Sequence, residues 1–302
     1  MSLKKFFLSL FVTLLALAVV FGGMTAAKFI SEGNLPESLS GLFDRVEGDG
    51  KVNFLLMGLD DGGMRADTIM LASVDKKNKK VKILSIPRDT RVEVNGKHIK
   101  INATMGYKSR EELMISKVKE ITGLPVHYYA EVDFDGFKEI IDILGGVDID
   151  VPFDMDYDDP VQNLSIHFKK GPQHLDGQAA HDYVRFRHNN NGSAPGDYAL
   201  GDPGRIHAQQ EFLKELVKQK LKPQYLSKAS KLAKAISEHV KTNFSVAEGL
   251  KYIKMLKKMD AETVETHMLP GGSKTIGGAS YYIYDETKSK QLIQEVFENT
   301  EE

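Results

Sequence analysis

The chain has 302 residues, with 40 Lys and Arg against 42 Asp and Glu and a formal net charge of -2. That length supports one large α/β domain or two smaller ones, and the near-neutral balance excludes a global pull toward nucleic acid. There is no cysteine, which excludes disulfides, thiolate metal sites and cysteine nucleophiles and fits an oxidising exterior.

Residues 1–5 carry Lys4 and Lys5, and Phe6 to Ala27 follows as 22 residues without a charge. At about 1.5 Å per residue this run spans a hydrocarbon core of roughly 30 Å. The expected organisation is a cytoplasmic N-terminus (1–5), a transmembrane helix (6–27), a Gly-, Ser- and Glu-rich stalk (28–51) and one extracytoplasmic domain (52–302), oriented by the two lysines. A cleaved signal peptide is the competing reading. The run is long for one, and Thr25-Ala26-Ala27 is an imperfect cleavage site. Outside the cytoplasm no nucleotide pool is available, which counts against a kinase or an ATPase.

Val52–Leu59 is a nearly continuous apolar run, as in a strand buried on both faces. It ends in Gly58-Leu59-Asp60-Asp61-Gly62-Gly63, with Arg65 and Asp67 following. Strands are expected at Thr68–Val74 and Val81–Ile86, the latter running into Pro87-Arg88-Asp89-Thr90. Asn95-Gly96 between two short apolar runs is a hairpin signal, and its second arm carries Lys100 and Asn102. The spacing of Met114, Val118 and Ile121 predicts an amphipathic helix over 104–122. A strand at Tyr128–Val132, a helix at Phe134–Leu144 closed by two glycines, and a strand at Val147–Val151 complete the first half.

Asp148 to Asp159 holds six aspartates but lacks the glycine and final glutamate of a calcium loop, so it reads as a solvated acidic loop. Asp176 caps a helix to about Tyr183, after which Arg185 and Arg187 are expected in extended chain, on one side. Asp202 and Arg205 open a helix to Leu221, with Arg205 and Gln209 one turn apart on one face. Lysine-rich helices are expected at 223–240 and 245–260, strands at 264–269 and 280–284, and a closing helix at 285–298. Gly271–Gly278 lacks the Gly-Lys-Ser/Thr ending of a phosphate loop and reads as a hairpin turn.

Asp60, Arg65, Asp67, Arg88, Asp89, Lys100, Arg185, Arg187, Asp202 and Arg205 thus fall at strand ends and helix starts. Arginine forks match phosphate oxygens two at a time. Carboxylates without His or Cys suit a hard cation such as Mg²⁺ or Mn²⁺. A pyrophosphate held by arginines, with a metal, is the economical ligand. The nine histidines form no HExxH pattern and read as structural or exposed.

The ordered segments MGLDDGGMRADTIMLASVD, LSIPRDT, KIN, ITGLPVHYYAEVDFDGF, DILGGVDIDVP, LDGQAAHDYVRFR and DPGR followed by QQ resemble the LytR-CpsA-Psr family of cell-wall enzymes. The resemblance implies a membrane-anchored phosphotransferase that moves an anionic glycopolymer, such as wall teichoic acid, from undecaprenyl pyrophosphate to peptidoglycan. It implies an α/β fold, a central mixed sheet between helices, with an apolar tunnel for the polyprenyl tail. Carried over by position, Arg65, Arg88, Lys100, Arg185, Arg187, Arg205 and Gln209 would hold the pyrophosphate. Asp60, Asp67 and Asp202 would lie at the metal, and Asp67 would take the acceptor's proton. Arg88, Arg185 and Arg205 would act with it in catalysis.

One position departs from the pattern. Ala208 stands where the family usually has a further arginine, so Ala208→Arg is expected to tighten donor binding. The departure keeps two other readings open: a non-catalytic polyprenyl-phosphate binding or regulatory protein, and an extracytoplasmic pyrophosphatase.

Overall fold

A computed structural model describes residues 50–60, 62–75, 77–78, 80–160, 164–195, 198, 202–220, 228–244 and 264–298. The expected membrane span, the stalk up to residue 49 and the helix at 245–260 lie outside them. Among the described residues, no helix is long and apolar enough to cross a membrane.

Six strands make the central sheet: β1 (Lys51–Leu59), β2 (Ala66–Asp75), β3 (Lys80–Ser85), β6 (Tyr128–Val132), β11 (Val240–Thr242) and β12 (Val264–Met268). Their order is β11-β6-β1-β2-β3-β12. β1 runs antiparallel to β2, β2 to β3 and β6 to β11. β1 is parallel to β6, and β3 to β12. The sheet is therefore mixed, and β1, β3, β6 and β12 all point their carboxyl ends to one edge. β2 starts at that same edge.

The apolar run in β1 is buried on both faces, as its composition demands. Phe54 belongs to one core, with Leu56 packed against it, while Leu55 and Met57 belong to another. Helices cover both. On the second face lie α1 (Arg110–Thr122), the hairpin of β4 (Arg91–Val94) and β5 (Lys97–Lys100), and the closing helix α6 (Glu286–Leu292). On the first lie α2 (Phe134–Leu144), α3 (Gly177–Arg185), α4 (Asp202–Lys220) and α5 (Ala229–His239). The central mixed sheet between helices matches the expected fold.

Several expectations change. The predicted 104–122 helix breaks into a 3-10 segment (Ile101–Gly106) and α1. The Oγ of Thr104 donates to the carbonyl of Ile101 at 2.8 Å, which satisfies the first segment locally. The acidic stretch is not a loop. β7 (Val147–Val151) pairs with β10 (Gly171–Leu175), and β8 (Met155–Asp159) with β9 (Leu164–Phe168). In β8, Met155 is buried while Asp156 and Asp158 are exposed, a period of two that the density of aspartates concealed. Gly271–Ile276 is itself a strand, β13, paired with β14 (Ala279–Tyr284) across Gly277-Gly278, both glycines at positive φ. The closing helix passes from α6 into a π-helical turn at Ile293–Glu298.

Candidate functional site

The carboxyl end of β1, the start of β2, the end of β6 and helices α2, α3, α4 and α5 enclose one cavity on the first face of the sheet. Its volume is about 150 Å³. Its wall is overwhelmingly apolar, with Phe54, Met70, Phe137, Ile141, Phe212 and Ile236 among the lining residues. The polar exceptions include Asp67, Arg185, Arg205 and Gln209.

The local sequence explains how these charges reach the mouth. After β3, Pro87 opens a turn in which the amide and hydroxyl of Thr90 both donate to the Pro87 carbonyl, at 3.0 and 2.6 Å. Asn102 donates its amide to the Arg88 carbonyl at 3.1 Å. The turn holds Arg88 against Asp67, with Nη1 to Oδ1 at 2.6 Å. Asp89 pairs with Lys100 at 3.1 Å and lies 3.9 Å from Arg88 Nε. Arg205, in the first turn of α4, is only 3 % exposed and donates to the Asp67 carbonyl at 3.3 Å.

Asp67 is thus the centre of the charged group. Burial works to raise its pKa, but Arg88, Arg205 and Arg187 outweigh that and hold the carboxyl below the ordinary aspartate value. Its contribution to stability is therefore present above the unfolded-state pKa and is lost as pH falls through the lower folded value. The expected result is a pH–stability profile that stays flat with respect to Asp67 from neutrality down to the ordinary carboxylate range. In the Asp67→Asn variant the acid limb of that profile, measured by denaturant melts, shrinks.

The same electrostatics bear on the proton-acceptor role expected of Asp67. A carboxylate with a depressed pKa and an oxygen committed to Arg88 is a weak proton acceptor. Through that oxygen Asp67 orients Arg88.

Asp60 folds its own loop. Its Oδ1 accepts from the amides of Met64 and Arg65 at 2.9 and 3.1 Å. The loop is tied to α1 through Arg110, which donates to the Gly63 carbonyl at 2.8 Å and pairs with buried Glu131 at 2.6 Å. Arg65 is exposed on that loop. Asp60, Arg65, Arg88, Lys100 and Arg187 do not line the cavity, though Arg88 is joined to it through Asp67. The side chain of Asp202 lies outside the described residues. Among the described residues, the carboxylate–histidine groups that could ring a cation are Glu139, Glu238 and His239, and Asp156, Asp158 and His167, and neither includes Asp60 or Asp67.

Arg185 and Arg187 do not follow one another in a strand. Arg185 is the last residue of α3, Phe186 is fully buried, and Arg187 lies beyond the helix. Arg185 nonetheless reaches the cavity, stacked over Phe134 at 5.0 Å. Gln209 lines it too and donates to the Val184 carbonyl at 3.4 Å. The sequence reading missed His181, which also lines the cavity. Its spacing of four from Arg185 was the available signal, hidden because α3 was expected to end at Tyr183. Ala208 has no exposed surface and packs in the same core as Tyr183, Phe212 and Leu216. The expectation that an arginine there would reach a ligand gives way to burial.

The cavity thus joins an apolar wall to Asp67, Arg185 and Arg205. The profile of the LytR_cpsA_psr family matches residues 22–298, and the chain belongs to that family. It is 32% identical over 263 residues to the polyisoprenyl-teichoic acid–peptidoglycan teichoic acid transferase TagV of Bacillus subtilis, covering 82% of this chain and 65% of that protein. It is 30% identical over 251 residues to the Bacillus cereus transferase TagU, covering 81% and 77%. The crystal structure of B. subtilis TagV superposes with a TM-score of 0.67 at 32% identity, covering 84% of this chain and 100% of that one.

Proposed function

We propose that the protein transfers an anionic glycopolymer of the teichoic acid class from a polyprenyl pyrophosphate carrier to peptidoglycan. The observation that carries this reading is the continuity of the apolar cavity with Asp67, Arg185 and Arg205, and through Asp67 with Arg88. A polyprenyl chain suits the wall, and a pyrophosphate suits the cations. The names of TagV and TagU point to the same reaction.

In the transfer, the acceptor hydroxyl forms a bond to the phosphorus nearer the sugar. The bridging P–O bond breaks, and the lipid departs as its monophosphate. Arginine forks at the mouth meet the charge that builds on that leaving group. Arg88 is held ready by Asp67, so little reorganisation is needed. The acceptor's proton leaves as the new bond forms and passes to solvent or to the departing lipid phosphate, since the Asp67 oxygen is engaged by Arg88.

Mg²⁺ or Mn²⁺ belongs to the proposal. Asp67 is the carboxylate on the cavity wall that would hold it. Asp67 is an ionised oxygen ligand beside cations, and Mg²⁺ usually takes one or two carboxylates and completes its shell with water and substrate phosphate. Bound there, the ion would neutralise pyrophosphate charge. The proposal also places the domain outside the cell membrane, anchored through 6–27 with residues 1–5 in the cytoplasm. An intact N-terminus in the membrane fraction, read by mass spectrometry, is expected, and a mature N-terminus near Ala27 would refute the anchor.

The test is transfer itself. The purified chain is incubated with a polyprenyl-pyrophosphate glycan and peptidoglycan, with and without chelator. A linked product that falls at least about tenfold in chelator is expected. Free glycan phosphate without linkage would identify a pyrophosphatase, and donor binding without turnover a regulatory binder. Undiminished transfer in excess chelator would remove the metal from the proposal.

A further inference from the structure

We propose that His181 and Asp182 are positioning residues that set the guanidinium of Arg185 at the anionic end of the cavity. The inference rests on the pyrophosphate reading above and names how one of its cations is held. His181 is buried in α3, and its Nδ1 lies 3.0 Å from Asp182 Oδ1. An ionised carboxylate can only accept, so Nδ1 carries the hydrogen. Gln178 donates its amide hydrogen to the same Asp182 oxygen at 2.9 Å and sits farther from Nδ1, at 3.4 Å. That tautomer leaves a lone pair on Nε2, which faces Arg185 Nη1 at 3.5 Å.

Phe134 completes the arrangement. The His181 ring meets its ring edge-on at 4.6 Å and 74°, and Arg185 stacks on it at 5.0 Å. The histidine lone pair and the aromatic face restrict it to one region before a ligand arrives, so less entropy is lost on binding. His181 touches Arg185 rather than needing to reach the phosphates itself.

The experiment measures binding of a short-chain polyprenyl pyrophosphate to the purified full chain by calorimetry, alongside melting temperature. His181→Leu preserves an apolar wall but removes both ring nitrogens. It is expected to weaken the probe by about tenfold at unchanged melting temperature, the scale of one charge-assisted contact. His181→Gln, which keeps an acceptor and a donor, should stay within about threefold of wild type. Because the histidine acts through the arginine, His181→Leu added to Arg185→Ala should cost nothing further. Wild-type affinity in His181→Leu, or full additivity in the double variant, overturns the proposal. Should the leucine variant lose stability, Asp182→Ala takes its place, and wild-type affinity there is equally fatal. Failure of the folded wild type to bind the probe would instead defeat the pyrophosphate reading and this inference with it.

Discussion

Replacing Arg205 with alanine is expected to cut transfer by about one to two decades while the protein stays folded. Arg205 is the most buried cation at the mouth and approaches Asp67 through its backbone, donating at 3.3 Å. It is held by the first turn of α4, where backbone N–H groups also favour an anion. A charge-assisted hydrogen bond contributes about 1.5–3 kcal/mol, which becomes roughly ten- to more than a hundredfold in rate when the contact forms in the transition state. Arg205→Lys should recover only part of the loss, since a point charge cannot present a planar fork. Steady-state transfer rates and melting curves on both variants decide the matter. Wild-type rates in Arg205→Ala would remove this residue from the site. A collapse in melting temperature would assign it to structure, as a partner that keeps Asp67 ionised.

The group around Asp67 was legible in the sequence because its members sit at boundaries. Asp67 follows a Gly-rich strand end, Arg88 follows a proline, and Arg205 opens a helix. Such positions declare themselves through turn chemistry. The cavity was not legible. Phe54, Ile141 and Ile236 carry the same periodicity whether they fill a core or line an opening, because period reports which face is buried and not what lies opposite. Asp60 shows the reverse limit. An aspartate between glycines looks like a ligand, yet its Oδ1 is spent on the amides of Met64 and Arg65. The β8–β9 pair was missed because charge density outweighed the alternation at Met155 and Tyr157 and at Leu164, Ile166 and Phe168. His181 was lost to a helix end misplaced by two residues, which moved Arg185 from the end of a helix into an imagined strand.

Ala208→Arg is expected to destabilise the protein by about 4 kcal/mol and to leave affinity for a polyprenyl pyrophosphate no tighter. Ala208 lies one turn after Arg205 in α4, but it has no exposed surface and packs with Tyr183, Phe212 and Leu216. The cavity is lined by Gln209 and Phe212 on the same helix, and not by Ala208. A longer side chain must displace packed neighbours, at about 1–3 kcal/mol, and a guanidinium without a partner in an apolar core adds a further few kcal/mol. For a folded domain of about 250 residues the sum corresponds to a fall of roughly 8 °C in melting temperature. Denaturant unfolding and probe calorimetry on the same variant check both halves. Tighter binding at unchanged stability would show that the new side chain escapes the core and enters the cavity, so that the site lacks a cation it can use. Lost stability with unimproved affinity would show that the small residue is demanded by the packing of α4, and that Arg88, Arg185 and Arg205 hold the anion without help from position 208.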